Sequence, residues 1–327
     1  MRIRGLGRIR ALAGKVQNRI SPGSLILLYH RVAELPVDPL LLSVTPAHFE
    51  EHLQVLSRIT QPLSLRKLVR SLKANEVTPH GAVVTFDDGA ADNLHNAKPL
   101  LERYDVPATV FVATEYSKGE REFWWDELER LLLVPRELPE RLSLKINGTT
   151  LNWDLEPAPP ARHKLYQHLG DSLRPMPTAQ RFDIIAELQQ WSGGGTSPRQ
   201  THRALSHDEI RQLADGGLVE IGAHTVTHPV LSAIPLADQE QEIRQSKLQL
   251  EEILNQPVES FAYPYGTKDD YTAETVRLVK QTPFTCACSN FRGVVQPRAS
   301  LFELPRLVVR DWDGDEFERQ LRGWFRG

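Results

Sequence analysis

Cysteine is nearly absent from this chain. Cys286 and Cys288 are the two examples in 327 residues, which excludes a disulfide framework. Two thiols alone do not make a structural zinc site, so both read as packing residues of a reducing compartment. In a strand they would point to the same face. No apolar run is long enough to span a bilayer. Neither sign of charge dominates: 39 Lys and Arg face 42 Asp and Glu, and a net charge of −3 gives no reason to expect a nucleic-acid partner. Internal repeats and low-complexity segments are lacking, and no histidine follows His228. What is present, 40% hydrophobic and 25% charged residues, is the composition of a soluble globular protein. The length suffices for one large α/β domain or two ordinary ones.

The first twenty residues carry Arg2, Arg4, Arg8, Arg10, Lys15 and Arg19 and no acid. They lack the apolar core of a secretory signal peptide. Either this is a solvated basic tail, or it forms a helix with Ile3, Leu6, Ile9 and Leu12 near one side that lies on an anionic membrane surface. From residue 21 onward, strand-like and helix-like runs alternate. Leu25–His30 reads as a strand. Thr45 with Pro46 starts a helix through Leu56, and Ser64 starts another to about Lys73. A strand then runs into Asp87, followed by a helix over 92–103 and a strand at Ala108–Ala113. Ser206 and Glu209 form a capping box, and Gly216-Gly217 stops that helix. A strand enters His224, a long polar helix follows at about 236–254, then a strand at Ser260–Tyr263. A helix at Ala273–Lys280 and strands near Phe284–Ala287 and Leu307–Val309 complete the series.

Repeated β-α alternation implies a largely parallel sheet, open or closed into a barrel. The interval from about 115 to 203 breaks the pattern. It holds a helical run after Trp124-Trp125-Asp126, a hairpin around Asn147-Gly148, two more helical stretches and a Gly-rich exit at 193–198. We read it as an insertion in a domain running from 21 to 327, packed beside the barrel and able to line a cleft.

Parallel α/β folds place their chemistry at the C-terminal ends of strands. Asp87-Asp88, His224 with His228, and Pro264-Tyr265 all fall there. Adjacent carboxylates at a strand end can divide labour, one on a metal and one taking a proton. Two imidazoles four residues apart complete a three-ligand set with coordination positions left open, which a hydrolytic metal site needs.

Three motifs, Thr85-Phe86-Asp87-Asp88-Gly89, His224-Thr225-Val226-Thr227-His228 and Phe261-Ala262-Tyr263-Pro264-Tyr265-Gly266, occur in one order. With them the chain resembles the polysaccharide deacetylase family, the NodB-homology or carbohydrate esterase family 4 hydrolases, over roughly 25–309 outside the insertion. The resemblance implies a distorted (β/α) barrel, a divalent metal, and hydrolysis of an acetyl group on a sugar. It implies Asp88, His224 and His228 as metal ligands, zinc being the expected ion. It implies Asp87 as general base, Pro264-Tyr265-Gly266 as a groove wall, and the Tyr265 N–H as oxyanion donor.

Two departures stand out. The family has an arginine after the Phe of the third motif, where this chain has Ala262; Arg306, entering the last strand, could supply that charge to Asp87 from another direction or form a surface ion pair. The family's late Leu-x-His motif is missing, so a general acid must come from elsewhere. His30, ending the first strand, faces the same rim and could protonate a leaving amine; it could equally be a structural histidine. Trp124 and Trp125 could stack on a sugar ring with Asp126 binding hydroxyls, or pack the insertion onto its host. His48, His52, His80, His95, His163, His168, His202 and His207 read as solvated.

The leading expectation is a metal-dependent hydrolase that removes an N-acetyl group from a sugar of a glycan or glycan precursor. The alternatives are an O-acetyl esterase or non-sugar amide hydrolase on the same fold, and a non-catalytic carbohydrate-binding protein. A cytoplasmic location follows as an expectation, with peripheral contact at the inner face of the membrane through the basic segment.

Overall fold

Burial on both faces decides the strands. β1 (Leu25–Tyr29) is apolar and buried at every position, as a strand of a parallel sheet covered on both sides must be. The computed structural model describes residues 23–134, 137–146, 148–155, 159–195 and 197–326. The basic segment at 1–20 lies outside the described residues, as do Asn147 of the hairpin turn and Thr196 of the Gly-rich exit.

After β1, the short pair β2 (Arg31–Val32) and β3 (Ser43–Val44) leads into α1 (Pro46–Ile59). Thr45 caps α1 by accepting the His48 N–H, with Pro46 in the first turn. β4 (Gln61–Pro62), α2 (Leu65–Lys73) and β5 (Gly81–Phe86) follow. The helix expected over 92–103 is interrupted: a π-helical turn, Asn93–Ala97, precedes α3 (Lys98–Tyr104). Pro99 has no N–H to give and its ring crowds the carbonyl four residues back, so the ladder loosens just before it. β6 (Ala108–Val112) ends the first half of the sheet.

The chain then leaves the sheet for α4 (Trp124–Leu132), the antiparallel hairpin β7 (Arg141–Ile146) and β8 (Thr149–Asp154), α5 (Pro159–Leu173) and α6 (Thr178–Ser192). These elements share an apolar core of their own, including Tyr116, Phe123, Leu128, Leu131, Leu165, Leu169 and Leu188. α7 (His207–Ala214), with the Ser206–Glu209 capping box, returns the chain to β9 (Val219–Ala223). Then come α8 (Leu236–Leu254), β10 (Ser260–Ala262), α9 (Ala273–Gln281), β11 (Cys286–Cys288), β12 (Leu307–Val308) and α10 (Gly314–Arg326).

The strand order is β11-β10-β9-β6-β5-β1-β12, every neighbouring pair parallel, with β4 added along the start of β5. The sheet curls into a half-barrel with helices around it. Ala287 donates to the Leu301 carbonyl and Leu304 donates back to that of Ala287, while Leu307 and Val308 pair with Leu27 and Leu28. The stretch 301–308 therefore spans from one edge strand to the other. This is the distorted (β/α) barrel type expected from the sequence, and it gathers all strand C-termini at one rim.

Three readings need correction. Nothing was expected after Val309, yet α10 packs Phe317, Leu321, Trp324 and Phe325 into the main core. Their helical spacing was visible in the sequence. His52 is buried rather than solvated: it stacks on Phe317 with ring centroids 4.0 Å apart, and its Nε2 lies 2.7 Å from the Trp312 carbonyl oxygen. His202 is buried as well.

Candidate metal centre and cleft

The rim is built where strands end in strained turns. Asp88, Thr225, His228 and Tyr265 all have φ between 56 and 74°, a left-handed backbone that non-glycine residues avoid. After β5 the Asp87 N–H donates to the Tyr29 carbonyl, and Asp88 and Gly89 then turn the chain away with φ of 74 and 76°. A side chain at Gly89 would also press on Val112. After β9 the His224 N–H donates to the Val112 carbonyl. Thr225 Oγ1 accepts the His228 N–H at 3.1 Å, closing the turn between the two histidines. Glu242 of α8 pins that turn from outside: its carboxylate accepts the N–H groups of Val226 and Thr227, at 2.7 and 2.9 Å, and the Thr227 hydroxyl.

These turns bring Asp88, His224 and His228 together, one potential ligand atom of each lying within 4.8 Å of the others. Asp88 Oδ1 is 3.6 Å from His224 Nε2 and 3.4 Å from His228 Nε2, and it is buried without a hydrogen-bond partner among the described residues. Those separations are too long for hydrogen bonds, yet close to the ~3.4 Å between ligand atoms that tetrahedral bonds of about 2.1 Å produce. The His224 Nδ1 lies 2.8 Å from the Ala262 carbonyl oxygen, which fixes the tautomer that leaves Nε2 free to ligate. Burial pushes both imidazoles below their ordinary pKa, keeping them neutral. Burial, with the Asp87 and Asp126 charges, holds the Asp88 carboxyl well above its usual range. The donor set fits a divalent ion.

Asp87 is treated oppositely. Burial alone would raise its carboxyl, but the Arg306 charge, with smaller help from His224 and His30, outweighs burial and holds it low. Arg306 Nη1 and Nη2 each donate to one Asp87 oxygen at 2.7 Å, and Nε donates to the Ser289 carbonyl at 2.7 Å. The arginine absent at Ala262 is thus replaced in space by Arg306, which is buried and points at the same carboxylate. His30 opens onto the cleft beside Asp87, its carbonyl held by the Asn93 amide at 3.0 Å. Burial pushes its imidazole down to about 4, against the pull of Asp87. The adjacent Arg31 is clamped by Asp92, which also accepts the Val32 N–H. Asp92, Asn93 and Glu242 escaped the sequence reading because each looks like one more polar residue of a helix.

A cleft of about 700 Å³ opens over these groups. Tyr265 forms part of its wall, and the Tyr265 N–H makes no hydrogen bond among the described residues. Pro264, next in the turn, offers its carbonyl to Gly266. Trp124 donates from Nε1 to the Tyr265 hydroxyl at 3.2 Å. Trp125 lies edge-on to His228, with centroids 5.0 Å apart, and stacks on Phe123. Both tryptophans line the cleft, but each is buried, so the aromatic cluster packs around His228 more than it offers a flat platform. His163, Tyr166 and Gln167 of α5, with Arg174 just past its end, form the facing wall.

Asp126 lies in a narrow side recess with Asp88, Arg31 and His202 rather than on the open cleft. Burial raises its carboxyl to about 7, Arg31 opposing. With Glu129 and His202 it forms a second group that could hold a metal. Arg199, however, donates to both Glu129 oxygens, at 3.0 and 3.3 Å, and already supplies the cation there.

A family model described as polysaccharide deacetylase matches residues 74–137 and 189–287. No curated protein matches the chain. Among solved structures, Streptococcus pyogenes deacetylase PplD in complex with acetate superposes with a TM-score of 0.61 at 18% identity, over 92% of this chain and 99% of that one. IcaB from Ammonifex degensii gives 0.60 at 17%, over 94% and 98%. The BpsB deacetylase domain from Bordetella bronchiseptica gives 0.54 at 15%, over 88% and 96%. At such identities these structures speak for the fold. The family model speaks for descent, and its matched segments contain the Asp87-Asp88 and His224–His228 motifs that the fold brings to one rim: the chain belongs to the polysaccharide deacetylase family.

Proposed function

We propose that this protein hydrolyses an N-acetyl group from a sugar of a glycan or glycan precursor, releasing acetate and a free amine. Asp88, His224 and His228 would hold a divalent ion, zinc. The carrying observation is the contrast at one rim: Asp87 clasped by Arg306, beside an Asp88–His224–His228 trio whose potential ligand atoms lie within 4.8 Å of one another.

A divalent ion there supplies Lewis acidity to water and to the acyl oxygen. Asp87 takes the proton of the attacking water, and Arg306 keeps it anionic and aimed. The Tyr265 N–H donates to the oxyanion that develops on the carbonyl. The proton that Asp87 takes from water passes by way of His30 to the leaving nitrogen; with its imidazole pushed down to about 4, His30 is neutral at rest and holds that proton only in transit. That same depression favours a second reading, an O-acetyl ester, whose alkoxide leaves with less help from an acid.

We read residues 21–327 as one domain with an insertion at about 115–203 that supplies the cleft wall. We place the protein in the cytoplasm, touching the inner membrane face through its basic residues 1–20; fractionation of cells carrying the chain with and without Arg2–Arg19 tests this.

The decisive experiment pairs metal content with turnover of N-acetylated chito-oligosaccharides and acetylated xylan, in the wild type and Asp87→Asn. We expect about one equivalent of divalent metal in both proteins and a 10²–10⁴-fold loss of turnover in the variant. A wild type that takes up no metal, or a variant with full turnover, overturns the mechanism. Turnover of xylan esters alone selects the second reading.

A further inference from the structure

One cation on the cleft has no counter-ion among the described residues. Arg310, two residues past β12, lines the cleft with His30, Asp87 and Asp88. Its Nη1 donates to the carbonyl oxygens of Leu40, at 3.0 Å, and Leu41. No carboxylate lies within ion-pair reach of it among the described residues, and Nε and Nη2 make no hydrogen bond there. The contrast with the other arginines around the site is plain. Arg306 is matched by Asp87, Arg31 by Asp92, and Arg174, across the cleft, by Asp270. Asp171 of α5, exposed on the opposite wall, makes no ion pair among the described residues.

An arginine anchored through one Nη keeps its Nε–Nη2 edge as a pair of parallel donors, the geometry that matches two oxygens of a carboxylate or phosphate. A half-buried charge facing a cleft without a partner costs solvation unless a ligand supplies the anion. We propose that Arg310 forms an oxyanion subsite, so that the preferred substrate is an acetylated sugar bearing a phosphate or carboxylate rather than a neutral one. This rests on the reading of the cleft as a sugar site, and it names the substrate class within it.

The test is calorimetric binding of N-acetylglucosamine, N-acetylglucosamine 1-phosphate and N-acetylmuramic acid to the zinc-loaded protein, to the chelated protein, and to Arg310→Gln and Arg310→Lys. We expect at least one anionic sugar to bind about 10-fold or more tightly than the neutral one, with or without metal, because a charge-assisted pair contributes about that much. The phosphate and carboxylate arms identify the source of the anion. Arg310→Gln should erase the preference and leave neutral-sugar affinity unchanged, with Arg310→Lys in between. Equal affinity for all three sugars overturns the subsite. So does a preference that survives Arg310→Gln or vanishes on chelation, since the metal would then be the anion's partner. A fall in neutral and anionic affinity by the same factor also overturns it, leaving Arg310 as a clamp for Leu40 and Leu41. Turnover of neutral chito-oligosaccharides with no anion preference removes the subsite alone; an anion preference with no turnover of any acetylated sugar removes the enzymatic reading alone.

Discussion

Two buried arginine–carboxylate clusters hold the two sides of the cleft, and they differ in what surrounds them. On the barrel side Arg306 takes both Asp87 oxygens, but the next residue, Asp88, has a buried oxygen with no hydrogen-bond partner among the described residues. On the facing side Arg199 takes Glu122 and Glu129, Arg130 lies 3.8 Å from Glu122, and His202 lies 3.4 Å from Glu129. The wall cluster is nearly complete in itself. The rim cluster is complete for Asp87 and open for Asp88. Buried charge that is fully matched ties elements together; buried charge left open marks where something else must bind.

The largest expected effect tests that division at its centre. Arg306→Met strands Asp87, 4% exposed, without its partner, and should cost about 3–5 kcal/mol of stability. Turnover should fall about 100-fold or more as the base loses both charge support and aim. Arg199→Met leaves Glu122 and Glu129 only their longer contacts to Arg130 and His202 and should cost somewhat less, about 3 kcal/mol, while kcat measured below the melting transition stays within a few-fold of wild type. Thermal melts alongside kcat separate the two. If Arg199→Met abolished turnover in a folded protein, the wall cluster would belong to the chemistry and the comparison would break.

What the sequence disclosed follows from how each group is delivered. Asp87-Asp88 and His224–His228 are local: each pair sits at the end of one apolar strand, so strand ends and ligand spacing could be read from a few residues. Arg306 was legible as a candidate because it enters a strand that had to join the same sheet. Glu242, Asp92 and Asn93 were not, since their partners lie 15 to 63 residues away and only packing of a helix against a turn selects them. Arg310 and Arg174 carry no signal in the sequence, and their difference, Arg174 paired with Asp270 and Arg310 without a carboxylate partner among the described residues, exists only in the folded cleft. Trp125 and Asp126 show the reverse limit: adjacent in sequence, they face the His228 cluster and a side recess.

Glu242 sharpens the rim side of the comparison. It touches neither the trio nor the cleft, yet it fixes the turn between two of the three ligands. Glu242→Ala leaves two N–H groups without their acceptor and a good helix former in α8. Metal affinity should fall about 10–100-fold, as it does when outer supports of ligands are lost. A chelator-competition titration measures it. Unchanged affinity would mean that the left-handed turn at Thr225 and His228 holds its shape unaided.

The smallest expected effect lies where rim and wall meet. Arg203 ends the wall segment; its carbonyl accepts the Ala91 N–H, and the Leu205 N–H donates to the Gly89 carbonyl, beside Asp88. Arg203 donates from both Nη groups to Glu209 of α7, at 2.6 and 2.8 Å, and this pair pushes the Glu209 carboxyl from 4.5 to about 2. A carboxyl depressed in the folded state binds its proton more weakly there than in the unfolded chain. Its stabilisation is therefore full above about pH 4.5 and is lost as the pH falls toward 2. Glu209→Gln keeps the capping box with Ser206 and removes the charge that faces Arg203 and His95, so it separates charge pairing from capping. At neutral pH the variant should be less stable by on the order of 1 kcal/mol, since the pair is partly solvated. The gap between its melting temperature and that of the wild type should close as the pH drops through this window. A gap that persists at pH 2 would assign the effect to the cap, and the seam between wall and rim would then be held by backbone hydrogen bonds alone.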